Sequence, residues 1–97
     1  MLFVVIAIDK ESALPLRMAT REAHLAYLRE TPGMLRLGGP FLDARGDMNG
    51  SLMIVEADNL EAAKSWHAND PYVKAGVFAS SEVKPWKVTA NPVEAKF

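Results

Sequence analysis

Two residues of this sequence could move a proton near neutral pH if the fold brings them together, His24 and Asp70. An unperturbed histidine titrates close to neutrality, and a carboxylate beside it fixes the tautomer and favours the charged ring. A pair of this kind serves as a general base. Asp70 also has a plain structural reading. It opens the stretch Asn69-Asp70-Pro71-Tyr72-Val73-Lys74-Ala75-Gly76-Val77-Phe78. Asp is a good helix N-cap, Pro71 is pre-set for the first helical position, and Gly76 can supply a left-handed terminator. One tight helical turn between a helix and a strand is expected there. Asp70 is then either a cap alone, or a cap that is also half of a site.

Other chemistries are narrowed by what the chain contains. It has no cysteine, which removes disulfides, thiol catalysis and thiolate metal sites. Its two histidines, His24 and His67, are too few for a structural zinc site. No cofactor motif is present, so no cofactor is expected. Ser51 and Tyr72 supply hydroxyls, but neither completes an evident nucleophilic triad. Proton abstraction and return, as in a lyase or isomerase, needs only the dyad and an anion stabiliser. Arg17 and Arg21, four residues apart, would supply that stabiliser if one helix ran through both. The candidate catalytic residues are therefore His24 and Asp70, and the candidate substrate-binding residues are Arg17, Arg21, Ser51 and Tyr72. The plainer readings are solvated arginines, an ordinary surface or packing role for His67, and core or dimer anchoring for Trp66 and Trp86. At the level of function, the alternative to a small-molecule enzyme is a non-catalytic ligand-binding or accessory module.

The elements that must position these residues fit one small domain of 97 residues, with a core over about 1–87 and a tail over 88–97. Hydrophobic residues make up 49%, too many for a disordered chain. The formal net charge is −1 and the lysines and arginines are scattered singly, so no nucleic-acid partner is expected. The run Met1–Ile8 is apolar, but it lacks a basic leader and ends at Asp9-Lys10, too short to span a bilayer. A cytoplasmic, soluble protein without a membrane partner is expected.

Leu2–Ile8 reads as a strand buried on both faces. Ser12 can cap a short helical piece through Met18, and Thr20 looks like the cap of the main helix, Arg21 to about Glu30. That break puts His24 in the first turn, where the helix dipole disfavours its protonated form. The rival is one uninterrupted helix from Ala13, with His24 in its middle. Thr31-Pro32-Gly33 ends the helix. Met34–Leu42 and Ser51–Ala57 read as strands joined by the turn residues Asp43–Gly50. Asp58 and Glu61 resemble a capping box for a helix over 60–69. Val77–Trp86 is the last strand. The order strand, helix, strand, strand, helix, strand gives an α+β ferredoxin-like βαββαβ fold, a four-stranded antiparallel sheet with both helices on one face. The other face of the sheet is apolar and uncovered, and a second copy in a two-fold homodimer is the simplest cover. Higher oligomers stay open.

Several stretches, in order, resemble the YciI-like family of small dimeric α+β barrel proteins. They are Arg21-Glu22-Ala23-His24-Leu25, Gly39-Pro40, Gly50-Ser51, Leu60-Glu61-Ala62-Ala63 with Trp66, Asp70-Pro71-Tyr72, Ala75-Gly76-Val77 and Val83-Lys84-Pro85-Trp86. The resemblance runs from Leu2 to about Lys87. It implies sheet-to-sheet dimers and a histidine–aspartate pair in a pocket, which by position are His24 and Asp70. It also implies chemistry related to removal of halide from a chlorinated hydroxyhydroquinone, on a small polar or aromatic ligand. The chain departs from the family at Glu22, where proline is frequent, and in its longer tail.

Overall fold

The computed structural model describes residues 1–97. The apolar run after Met1 forms β1 (Leu2–Asp9), whose side chains divide between two faces. Phe3, Val5 and Ala7 are fully buried, whereas Leu2, Val4 and Ile6 are half-buried and Ile8 is exposed. The chain continues through α1 (Leu14–Glu30), β2 (Leu35–Leu42), β3 (Met48–Glu56), α2 (Leu60–Ala68), the single turn α3 (Pro71–Ala75) and β4 (Phe78–Trp86). The strands lie in the order β2-β3-β1-β4, with every neighbouring pair antiparallel. This is the ferredoxin-like βαββαβ arrangement expected from the element order. No helix is long and apolar enough to cross a membrane.

The core forms between the helices and one face of the sheet. Phe3, Val5, Met53, Val55, Ala57, Ala63 and Trp66 make one buried cluster, joined by half-buried Tyr27, Leu28 and Leu60. Full burial of each large apolar side chain contributes about 1.5–3 kcal/mol, so this cluster holds α1 and α2 on the sheet. Trp66 also donates its indole N–H to Thr31 Oγ1 at 3.0 Å, while Tyr27 donates to the Trp66 carbonyl at 2.6 Å. These bonds satisfy the polar ends of two aromatic side chains and tie the end of α1 to α2. Gly50 is required by close approach. A Cβ there would lie 2.7 Å from the Ala7 carbonyl oxygen and 2.8 Å from the Phe41 ring.

Three local expectations are corrected. The first helix does not break at Thr20. It runs unbroken from Leu14, with Pro15 in its opening turn, where a proline needs no hydrogen bond. The Thr20 hydroxyl donates back to the Leu16 carbonyl at 2.8 Å instead of capping a new start. Ser12 is not a cap either: Ala13 holds that position without a side-chain hydrogen bond. At α2 the cap is Asn59, not Asp58, and its Oδ1 accepts from the Ala62 N–H at 2.8 Å. The Asp70 turn forms as read. Asp70 Oδ1 accepts the Tyr72 N–H at 2.9 Å, and Gly76 closes α3 with a left-handed φ of 81°.

On the face away from the helices stand half-buried Val4 and Ile6 of β1 and Leu52 of β3, around buried Ile54, with Leu37 of β2 55% exposed beside them. We propose that a second copy covers this face. Sedimentation at micromolar concentration is expected to give a dimer, and Ile6→Lys is expected to give a monomer of lower stability. A parent chain that sediments as a stable monomer would contradict the proposal.

Candidate active site

His24 is the eleventh residue of α1, in its middle and not at its start. It reaches Asp70 nonetheless, because α3 packs alongside the middle of α1. His24 Nδ1 lies 2.8 Å from Asp70 Oδ1, with His24 8% exposed and Asp70 fully buried. The helix-start dipole effect expected for His24 therefore does not apply. Asp70 Oδ1 receives both the His24 ring and the Tyr72 N–H, so the cap and the partner of the histidine are one atom. The carboxylate accepts, so Nδ1 carries the proton and Nε2 keeps its lone pair. Nε2 makes no hydrogen bond to protein and is not sealed from solvent.

The Tyr72 ring stacks on His24 with centroids 4.0 Å apart and planes 13° from parallel. The Arg17 guanidinium stands 4.7 Å from the centre of the same ring. Arg17 and His24 are seven residues apart, two helical turns, so both point to one side of α1. Arg17 is not solvated, as the plainer reading had it, but 3% exposed. It donates to Asp9 Oδ1 at 2.9 Å and to Ser51 Oγ at 2.6 Å. Ser51 is opposite Ala7 in the sheet, and Asp9 follows on the same strand face, so the sheet supplies both anchors. Burial pushes the Asp9 carboxyl above its ordinary pKa, against the opposing charge and hydrogen bond of Arg17. Arg21, one turn on, is exposed and has no ion-pair partner.

A cavity of about 220 Å³ lies between α1 and the β2–β3 hairpin. His24, Arg17, Arg21, Ser51 and Tyr72 all line it, together with apolar side chains including Leu28 and Met53. Of the six candidate site residues only Asp70 is absent from the wall; it stands behind His24. An apolar cavity of roughly 150 Å³ holds benzene, so this one has room for a ring with several substituents. A larger surface groove of about 840 Å³ between α1 and α3 touches neither His24 nor an arginine. Burial pushes the Tyr72 phenol above its ordinary pKa, with Arg17 and Arg21 opposing, so Tyr72 enters the site as a neutral donor.

Of the two plain readings of His67, surface or packing, the structure gives packing: it is 5% exposed, and its Nε2 lies 2.8 Å from Ser81 Oγ. Burial pushes this imidazole below its ordinary pKa; the Asp70 charge opposes the shift and His24 adds to it. The only local signal was its place beside the core residue Trp66.

A buried histidine–carboxylate pair whose histidine borders a cavity, set on a ferredoxin-like sheet, defines a small α+β fold with one candidate site. The chain matches the YCII-related domain over residues 1–87 and belongs to that family. It is 41% identical to the Protein YciI of Escherichia coli O6:H1 over 95 residues, covering 90% of this chain and 97% of that protein. It is also similar to a solved structure, the 5-chloro-2-hydroxyhydroquinone dehydrochlorinase of Burkholderia phenoliruptrix AC1100 in complex with 2,5-dihydroxybenzoquinone. That likeness has a TM-score of 0.84 and 39% identity, over 90% of this chain and 94% of the other. A putative antibiotic biosynthesis monooxygenase from Bacteroides thetaiotaomicron shares the fold alone, at TM-score 0.60 and 18% identity over 99% of this chain and 95% of the other.

Two outcomes follow. Asp70→Asn keeps an oxygen for the Tyr72 N–H but removes the charge, so the fold is expected to persist while the far-downfield proton resonance of His24 Nδ1–H, held against a carboxylate, moves upfield or is lost to exchange. An unchanged resonance by NMR would leave Asp70 as a cap only. His67 is depressed in the fold, so the unfolded chain binds the extra proton first. The contribution of His67 is full above its unfolded pKa of about 6.5 and is lost as pH falls through the lower folded value. Urea unfolding at pH 7 and pH 5 is expected to show a smaller acid-side loss in His67→Gln than in the parent. An equal loss in both would exclude His67 as the source.

Proposed function

We propose that this protein is a lyase-like enzyme that uses His24 as general base and acid on a small hydroxylated ring, with loss of hydrogen halide as the favoured reaction. The observation that carries this reading is the 2.8 Å contact of His24 Nδ1 with buried Asp70 Oδ1. It orients the ring and leaves Nε2 as the basic atom beside the cavity. The similarity to a dehydrochlorinase supports the choice of reaction.

The chemistry asks little beyond proton transfer. One ring hydroxyl gives up its proton while the halogen-bearing carbon gains one, which forms the keto tautomer without change of oxidation state. A second hydroxyl then loses its proton as halide departs with the carbon–halogen electron pair. The net change is loss of one hydrogen halide, with no oxidant required. His24 takes and returns the protons, and Asp70 stabilises the imidazolium that forms. Arg21, exposed and without an ion-pair partner, is the cation available to a developing phenolate or halide. Arg17 and Ser51, already bonded to one another, form a fixed polar wall, and Tyr72 provides a flat surface and a hydroxyl.

Halide release from a panel of chlorinated dihydroxy- and trihydroxybenzenes tests the proposal. Turnover is expected, with a fall of about 100-fold or more in His24→Gln. Binding of such rings without halide release from any of them would mark the chain as a ligand-binding module. Full activity in His24→Gln would remove the dyad from the chemistry.

A further inference from the structure

The hydrogen-bonding role of Ser51 is dictated by its neighbour. Arginine has donors and no acceptor, so in the 2.6 Å contact Arg17 Nη2 donates and Ser51 Oγ accepts. The serine proton is then left to donate elsewhere. No protein atom receives it. Even Asp9 Oδ2, beside the same guanidinium, is buried without a partner. Ser51 pairs with Ala7 on one side and with Pro40 on the other, and Met53, two residues on, pairs with Gly38. Pro40, Gly38 and Met53 line the cavity together with Ser51, so the serine side chain stands on the face of the hairpin that the cavity covers.

The guanidinium is fixed on three sides. Besides Ser51, its Nη1 is held by Asp9 Oδ1 at 2.9 Å, with both side chains almost fully buried, and its central carbon lies 4.7 Å from the centre of the Tyr72 ring. A hydroxyl that accepts from a fixed cation is polarised and donates more strongly to an acceptor of its own. We propose that Ser51 is a specificity-determining residue that donates to an ionised or keto oxygen of the ring, so that the cavity selects a ring with one such oxygen and one hydroxyl. The hydroxyl belongs at His24 Nε2, the acceptor left over when Nδ1 bonds to Asp70. The ligand class is the monoanion of a dihydroxybenzene, or the keto tautomer that forms from it. A neutral hydroxyl in place of the oxyanion accepts the serine proton more weakly. Exposed Arg21 adds charge at the same cavity, and Ser51 adds direction.

This role of Ser51 deepens the proposed chemistry and rests on it for the choice of ring. Two probes separate the cases: 4-nitrocatechol, whose ionised form has its own visible absorbance, and catechol, which stays neutral at neutral pH. In the parent chain, bound 4-nitrocatechol is expected to keep the absorbance of its ionised form at a pH where the free probe is mostly neutral, a readout that needs no variant. At neutral pH, Ser51→Ala is expected to weaken binding of 4-nitrocatechol by about tenfold or more, and of catechol by less than about threefold. Equal losses for the two probes would reduce Ser51 to a shape of the wall and overturn its role. So would a parent chain that binds neither probe, or that binds 4-nitrocatechol in its neutral form. Absence of halide release from every chlorinated ring would defeat the proposed reaction and leave the binding preference measurable. Equal losses in Ser51→Ala would defeat the preference and leave the reaction standing, so the two fail separately.

Discussion

A carboxylate with no exposure to water must find its partners within the protein, and Asp70 is such a group. The residue joins three parts of the molecule, two through Oδ1 and one through its backbone N–H. It caps α3 through the Tyr72 N–H, it holds the His24 ring of α1, and its position is set by the end of α2 through the His67 carbonyl. Removing its charge without replacing its oxygen would leave the helix turn and the histidine unpartnered together. The stacking of His24 on Tyr72 follows from the same constraint, because both are fixed to one residue. The site is therefore not attached to a finished fold; it is part of how the helices are locked.

The sheet contributes a polar row beneath the helices. Ser51, Ala7 and Ser81 lie side by side across β3, β1 and β4 on the helix side of the sheet, the first two buried and Ser81 exposed on its edge strand. Arg17 of α1 is seated on Ser51, and His67 of α2 on Ser81. Ala7 between them is the smallest side chain with a Cβ, so it leaves room for both. Hydrophobic contacts through Phe3, Val5 and Val55 fill the remainder of the layer. A buried ion pair such as Arg17–Asp9 contributes little net stability, because desolvation offsets its attraction. What it does supply is a fixed guanidinium at the cavity wall, with Arg21 left free.

The element order, the Asp70 turn and the Trp66 anchor were legible because each rests on local signals: apolar periodicity, a cap followed by proline, a terminal glycine. The false break at Thr20 arose from the same signals. Thr20 has the side chain of a cap, but a threonine hydroxyl also bonds back along its own helix, and only the continuity of α1 decides between the two. Pro15 does not separate two helices, because it belongs to the opening turn of α1. Asp58 and Asn59 are both competent caps, and the sequence offers no reason to prefer the second. The burial of Arg17 and His67 was illegible for a different reason. Each is decided by a partner on a distant strand, Ser51 and Ser81, and no spacing within a helix reports that. A mid-helix His24 meets Asp70 because α3 lies alongside α1, and no spacing within either helix reports that placement.

A crystal structure with a hydroxylated benzoquinone bound tests the central claim most directly. The account predicts the ring in the cavity between α1 and the β2–β3 hairpin, with one oxygen at roughly 2.6–3.2 Å from His24 Nε2 and Nδ1 still on Asp70. A ligand held elsewhere, or a His24 ring turned away from Asp70 with the ligand in place, would contradict it.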